Sequence, residues 1–279
     1  MEKIKSKKIS SSNNKNNKLS ILIAQDGLCF CASNQRRING FYTQDFPEIQ
    51  RPENLLKAME SDETAQFLDD HQEKDTEVEV FYANSLFTLV PLPYFDPRKL
   101  SDYLKYNIKL LNTDEIAFDT LKEINAKLVY VPYVNINNYI FDRFGEFTYH
   151  HVVSPFISSS FRLQHVGSTT VCLEVYSHHF MMSVVNEGEL LLCNAYEYYA
   201  PEDLVYYVLF AIAQLNLNRE TLRLLLSGKI EENSSAYNLL YTYIKHIHFA
   251  DHIKQGIELT ETMVKEGAQH QYQLLLNTI

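Results

Sequence analysis

Two stretches far apart in the chain share one pattern, and it constrains the fold more than any other feature of the sequence. Residues 19–32 (LSILIAQDGLCFCA) and 170–185 (TVCLEVYSHHFMMSVV) each hold two short apolar runs about a polar turn. Apolar runs of this length, bounded by turn residues, read as buried, paired strands. In the first, Asp26-Gly27 is expected to supply the positive φ angles of a tight hairpin. A chain that opens each half in this way needs a sheet in each half, and crossover elements to continue it.

Those elements can be read in order. Residues 51–71 are charged and periodic, which predicts one or two helices. Residues 77–95 predict a second hairpin about Asn84-Ser85, ended by Pro91 and Pro93, since proline cannot donate to a sheet ladder. Asp96-Pro97 then predicts a helix start, with Asp96 as cap and an apolar stripe of Leu100, Tyr103, Leu104, Ile108 and Leu111. A strand over 126–132, a helix over 136–144 and a strand over 148–153 complete the first half. In the second half, Asn186–Gly188 turns the chain into a strand over 190–196. Pro201, Glu202 and Asp203 open an apolar helix to about residue 216. A strand over 222–226 ends at Ser227-Gly228, a helix spans 234–243, a strand spans 244–249, and one or two helices close the chain. The two series match in pattern rather than in residue identity, as a duplicated mixed-sheet unit would.

Four segments carry a family resemblance: LSILIAQDGLCFC (19–31), FTLVPLPYFD (87–96), VYVP (129–132) and LLLSGKI (224–230). They resemble a bacterial family known as domain of unknown function 3822. That family is similar to the actin, heat-shock chaperone and sugar-kinase superfamily, close to actin-like components of pilus and secretion machinery. The resemblance implies an α/β fold with mixed sheets, a duplicated ribonuclease-H-like, actin-like ATPase architecture with two lobes around a cleft. The expected organisation is a disordered basic tail over 1–18, a first lobe over 19–165 and a second over 166–279. It implies no particular activity, because a fold does not fix a function.

Active members of that superfamily hold phosphates in two hairpin turns, each with an acid ending the first strand and a Gly two positions later. Glycine lets backbone N–H groups reach phosphate oxygens, and the acid positions a metal or the attacking water. Aligning Gly27 with the motif glycine puts Gln25 where the acid belongs, and leaves Asp26 displaced by one residue, facing the other way. The second turn, Tyr176-Ser177-His178-His179, has neither Gly nor acid. Ser227-Gly228, before Lys229, is the only match to an adenosine-binding glycine pair. Gln25, Asp26, Gly27, Ser177, Ser227 and Gly228 are thus the degenerate positions of a nucleotide site. ATP with magnesium is disfavoured as a cofactor, and no catalytic or metal-binding residue is assigned. The reading is a catalytically silent binding or scaffold module with an unknown protein partner. The alternative is a divergent ATPase or small-metabolite kinase.

Other constellations point the same way. His246, His248 and His252 have metal-like spacing but lack an accompanying Cys or carboxylate cluster. His150-His151 and His178-His179 lack a linked nucleophile and orienting partner. Residues 1–18 hold six Lys and one Glu, a balance of +5; the rest, with 19 basic and 34 acidic side chains, carries −15. So acidic a body repels phosphate backbones, leaving the tail as the one route to nucleic acid. The tail lacks the apolar core of a signal peptide, and the longest apolar run, residues 204–213, is too short to cross a membrane. Cys29, Cys31, Cys172 and Cys193 lack CxxC spacing and read as small buried hydrophobes, which together imply a cytoplasmic protein. With 19 Tyr and 16 Phe but no Trp, broad aromatic faces with wet rims are expected.

Overall fold

The computed structural model describes residues 17–34, 37–73, 75–106 and 108–250. The tail up to residue 16, the expected closing helices and His252 lie outside the described residues. The described chain forms two compact units that divide between Ser154 and Pro155.

In the first unit, β1 (Asn17–Ala24) and β2 (Gly27–Asn34) are antiparallel, with Ala24 opposite Gly27. From Leu19 to Ala32 their apolar residues are buried throughout, as the run pattern predicts. β3 (Arg37–Asp45) joins outside β2, and β4 (Glu77–Ala83) runs parallel to β1. Helices α1 (Pro52–Met59) and α2 (Asp62–Asp70) occupy the charged, periodic segment and bury Leu55, Met59 and Leu68.

Strand β5 (Phe87–Pro91) corrects the expected second hairpin: it belongs to a different sheet from β4. The cause is Asn84. Its Oδ1 accepts from the Leu86 N–H at 2.8 Å and its Nδ2 donates to the Val131 carbonyl at 3.1 Å, an Asx-type bend that sends the chain away. β5 pairs instead with β7 (Ala126–Tyr130), which also pairs with β6 (Ala117–Leu121). The helix expected from Asp96 is also shorter, α3 (Leu100–Leu104). Asp96 caps a local turn through Arg98 rather than a helix: its carboxylate accepts from the Arg98 backbone and guanidinium. Leu100, Tyr103, Leu104 and Ile108 still pack with Val90, Val129 and Val131, whereas Leu111 is exposed.

Helix α4 (Val134–Phe144) is tied to α1 by Asn135 Nδ2 donating to the Pro52 carbonyl at 2.9 Å. It is tied to the sheet by the Tyr82 hydroxyl donating to Asn137 Oδ1 at 2.6 Å. β8 (Thr148–His151) completes a five-stranded sheet in the order β3-β2-β1-β4-β8. Helix α5 (Val153–Leu163) spans the division between the units.

The second unit holds β9 (Thr170–Val175), β10 (His179–Asn186), β11 (Glu189–Glu197), α6 (Pro201–Gln214), β12 (Arg223–Gly228), α7 (Ser235–Tyr243) and β13 (His246–Phe249). Its sheet order is β11-β10-β9-β12-β13. Both five-stranded sheets therefore have two successive antiparallel pairings on one side of the first strand and two successive parallel pairings on the other. Apolar residues of α6 and α7, including Leu204, Val208, Ile212 and Leu240, pack on Val171, Leu173, Leu224 and Leu226. Cavity-lining side chains of α5, Phe156 and Ser160, meet Cys172 and Leu225 of the same sheet.

Candidate functional site

The first turn is Gln25-Asp26 alone, and neither Asp26 nor Gly27 has positive φ, which corrects the hairpin geometry expected for Asp26-Gly27. What shapes the turn is the following segment: the Phe46 N–H donates to the Asp26 carbonyl at 3.0 Å, and the Gln50 N–H donates to the Gln25 carbonyl at 2.7 Å. Gln25 Nε2 also reaches the Gln50 carbonyl, at 3.4 Å. Asp26 is 2% exposed, while Gln25 is half-buried. Gly27 already belongs to β2, and a Cβ there would lie 3.0 Å from the Gln44 carbonyl oxygen.

The second turn is built differently. Tyr176 and His179 flank it with rings stacked at 4.4 Å and nearly parallel, and the Tyr176 N–H donates to the His179 carbonyl at 2.9 Å. Tyr198 clamps it from outside: its N–H donates to the His178 carbonyl at 3.0 Å and its hydroxyl to the Tyr176 carbonyl at 2.6 Å. The Ser177 hydroxyl accepts from Lys229 Nζ at 3.0 Å. Lys229 in turn is fixed by its N–H donating to the Val175 carbonyl at 2.7 Å.

The end of β12 brings Ser227 and Gly228 beside the end of β9. Gly228 has φ +81°, and a Cβ there would fall 2.1 Å from the Val175 carbonyl oxygen, so no other residue fits that approach. The structure thus places Ser177, Ser227 and Gly228 about one strand end of the second unit, and Gln25, Asp26 and Gly27 about one turn of the first.

Glu174, inside β9, pairs with Ser227. Burial pushes its carboxyl up to about 8, with the Ser227 hydrogen bond opposing. Ser227 Oγ is within donating reach of both Glu174 Oε2 and the Leu173 carbonyl, the latter at 2.8 Å, and its single hydroxyl hydrogen serves one of them at a time. A cavity of about 10 Å³ adjoins Ser227, lined also by Ser159, Ser160 and Cys172, with space for about one water. Burial raises the Cys172 thiol to about 11, which favours its protonated form.

Sequence reasoning missed a polar knot in the first unit. Asp119, buried on β6, accepts through Oδ2 from the His151 N–H at 3.0 Å and the Ser154 hydroxyl at 2.8 Å. Its Oδ1 faces His150 Nδ1 at 3.0 Å, and His150 Nε2 lies 3.4 Å from Glu79 Oε1. His151 is a fixed neutral imidazole: Nδ1 accepts from the Val153 N–H at 3.3 Å, so Nε2 donates to the Asn84 carbonyl at 3.0 Å. Ser154 bonds to the acid rather than to an imidazole, so this is a structural tie and not a nucleophile–base pair. The available signal was the acid inside the alternating strand sequence AFDTL. His246 and His248 are exposed on β13, and the described residues contain no group of three His, Cys, Asp or Glu arranged to hold a metal ion.

Two sheets of identical strand order and pairing sense, each led by a hairpin, define the actin-like ATPase fold. A Bacteroides thetaiotaomicron protein with that fold and unknown function matches at a TM-score of 0.74 and 21% identity, covering 95% of this chain and 96% of that one. The structure of the PilM–PilN type IV pilus biogenesis complex matches at a TM-score of 0.63 and 10% identity, covering 93% and 96%. At these identities the likeness establishes the fold. No curated protein matches the sequence. The family model for proteins of unknown function, DUF3822, matches residues 6–247, and the chain belongs to that family.

Proposed function

We propose that this chain is a catalytically silent actin-like protein that acts by binding another protein. The observation that carries the reading is the second turn. Where a phosphate would need open backbone N–H groups and a nearby acid, a Tyr176–His179 stack closes the turn, Tyr198 holds two of its carbonyls and Lys229 engages its serine hydroxyl. In the first turn the residue at the acid position is Gln25, and Asp26 is buried. Gly228 serves the packing of β12 on β9, which accounts for it without a nucleotide. A protein partner is supported by the PilM–PilN type IV pilus biogenesis complex, which contains a chain of similar fold.

The test is ATP hydrolysis by the purified chain with magnesium, run beside melting temperatures in millimolar ATP, ADP and GTP. A ligand selective for the native state raises its stability by mass action, so no turnover and no shift are expected. Turnover that disappears on Gln25→Ala and Asp26→Ala would establish the rival reading, a divergent ATPase or small-metabolite kinase.

A further inference from the structure

Helix α6 is apolar all round, but it is not buried all round. Leu204, Val205, Val208, Ala211 and Ile212 face the core. On the opposite side Tyr206 is 60% exposed and Phe210 49%, with Ala213 exposed one turn further on and Tyr199, before the helix, 82% exposed. The Tyr206 and Phe210 rings form a continuous series with the core. Phe180 stacks on Tyr196 at 5.3 Å, Tyr196 on Tyr207 at 5.0 Å, Tyr207 meets Tyr206 edge-on at 5.4 Å, and Tyr206 stacks on Phe210 at 5.8 Å. The outer rings are therefore held on a rigid base, so a partner would spend little conformational entropy ordering them. Contiguous exposed apolar surface of this kind marks an interaction site.

Charge says what the face fits. From Leu163 to Asn218 the chain contains no Lys and no Arg, while Glu187, Glu189, Glu197, Glu202 and Asp203 all lie on or beside β11 and α6. Helix α7, packed beside α6, carries no charged residue. Aromatic faces attract cations through their quadrupole, and the acids at the rim add to that attraction. The same lack of cations excludes nucleic acid and anionic lipid as occupants. β11 is, moreover, the outer strand of its sheet among the described residues. Apart from a bulge opposite Val184/Val185 it has neither Lys nor Pro, the residues that protect a sheet edge from pairing.

We infer that the Tyr206–Phe210 face of α6, with Tyr199, Glu197 and Glu202 at its rim, docks a cationic, partly apolar segment of a partner protein. The inference rests on the protein-binding reading above and gives that partner a chemistry. The test is selection of a random peptide library on the purified full chain, with the Tyr206→Ser/Phe210→Ser double variant as counter-target. Neither exposed ring belongs to the buried core, and matching melting temperatures verify that the double variant keeps the fold. Enriched peptides should carry Lys or Arg beside aliphatic or aromatic residues, and should bind the double variant about tenfold more weakly by fluorescence anisotropy. Glu197→Gln/Glu202→Gln should weaken binding about threefold at low salt, with the difference lost near about 0.5 M salt. Neutral or acidic peptides, or equal binding to wild type and double variant, would overturn the inference. So would occupancy by this chain itself. That would appear as a dimer in sedimentation dissolved by Phe210→Ser, or as a peptide of residues 1–18 binding this face as tightly as any selected one. Failure here with no ATP turnover leaves the silent reading standing, whereas turnover alone removes that reading and not this face.

Discussion

Glu174 gives the sharpest physical handle on this protein. Its carboxyl is 3% exposed and meets a hydroxyl rather than a cation, so burial raises it from 4.5 to about 8. A carboxyl whose folded value lies above its unfolded one contributes stability that is fully present below about pH 4.5 and is lost as pH rises through about 8. Within that window the unfolded chain has released the proton and the folded chain still holds it. Glu174→Gln removes the titration yet keeps a side-chain amide of similar size that can donate to or accept from the Ser227 hydroxyl. At about 1.36 kcal/mol per pH unit across the window, the variant should gain about 4 kcal/mol on wild type between roughly pH 5 and pH 9. Urea unfolding of both proteins across that range measures the gap directly, and subtracting wild type from variant cancels every other titrating group. A gap constant to within about 1 kcal/mol would refute the neutral, buried carboxyl. A gap that closes as pH rises would show an ionised Glu174 with a stabilising partner.

Two further substitutions test how the strands are tied. Gly228→Ala must hold a side chain at φ +81° and drive a Cβ into the Val175 carbonyl, so it should cost about 3 kcal/mol or more, read as a lowered urea midpoint. Asp119→Ala leaves the His151 N–H and the Ser154 hydroxyl without their acceptor and should cost about 3 kcal/mol, with faster hydrogen exchange at the His151 amide as its local signature.

Much of the architecture was legible because burial writes itself into residue order. The leading strands of both sheets, α1, α2, α4, α6 and α7 follow from apolar runs and periodicity. What escaped was decided by contacts distant in sequence. β3 (RINGFYTQD) contains Asn39-Gly40, a turn signal by itself. In the sheet it is a bulge opposite Ala32/Ser33, where a Cβ on Gly40 would overlap the His71 imidazole at 2.1 Å. Helix α5 hides behind Pro155 and a run of three Ser. The proline falls in the first turn, where a missing N–H costs nothing, and Ser160 bonds to Phe156 and Ser183. The 77–95 segment misled because Asn84 can close a hairpin or redirect a chain, and only its bond to Val131 decides which.

The candidate site was legible to a different degree, for a reason inherent in the fold. The two five-stranded sheets share strand order and pairing sense, yet one leading turn is two residues braced by 46–50 and the other is a Tyr–His stack clamped by Tyr198. Strand pairing and core burial fix where a turn must lie but place almost no demand on which side chains it carries. A phosphate-gripping turn can therefore be replaced by one that satisfies its own backbone without disturbing the sheet behind it. Residue identities alone give Gln25 in the first turn and no acid or glycine in the second. That Tyr198 would hold two carbonyls of the turn and Lys229 its serine hydroxyl became visible only once β11 and β12 were folded beside it. The scaffold is thus specified apart from its turns, so the turns, and not the fold, are where a functional test on this chain has to be aimed.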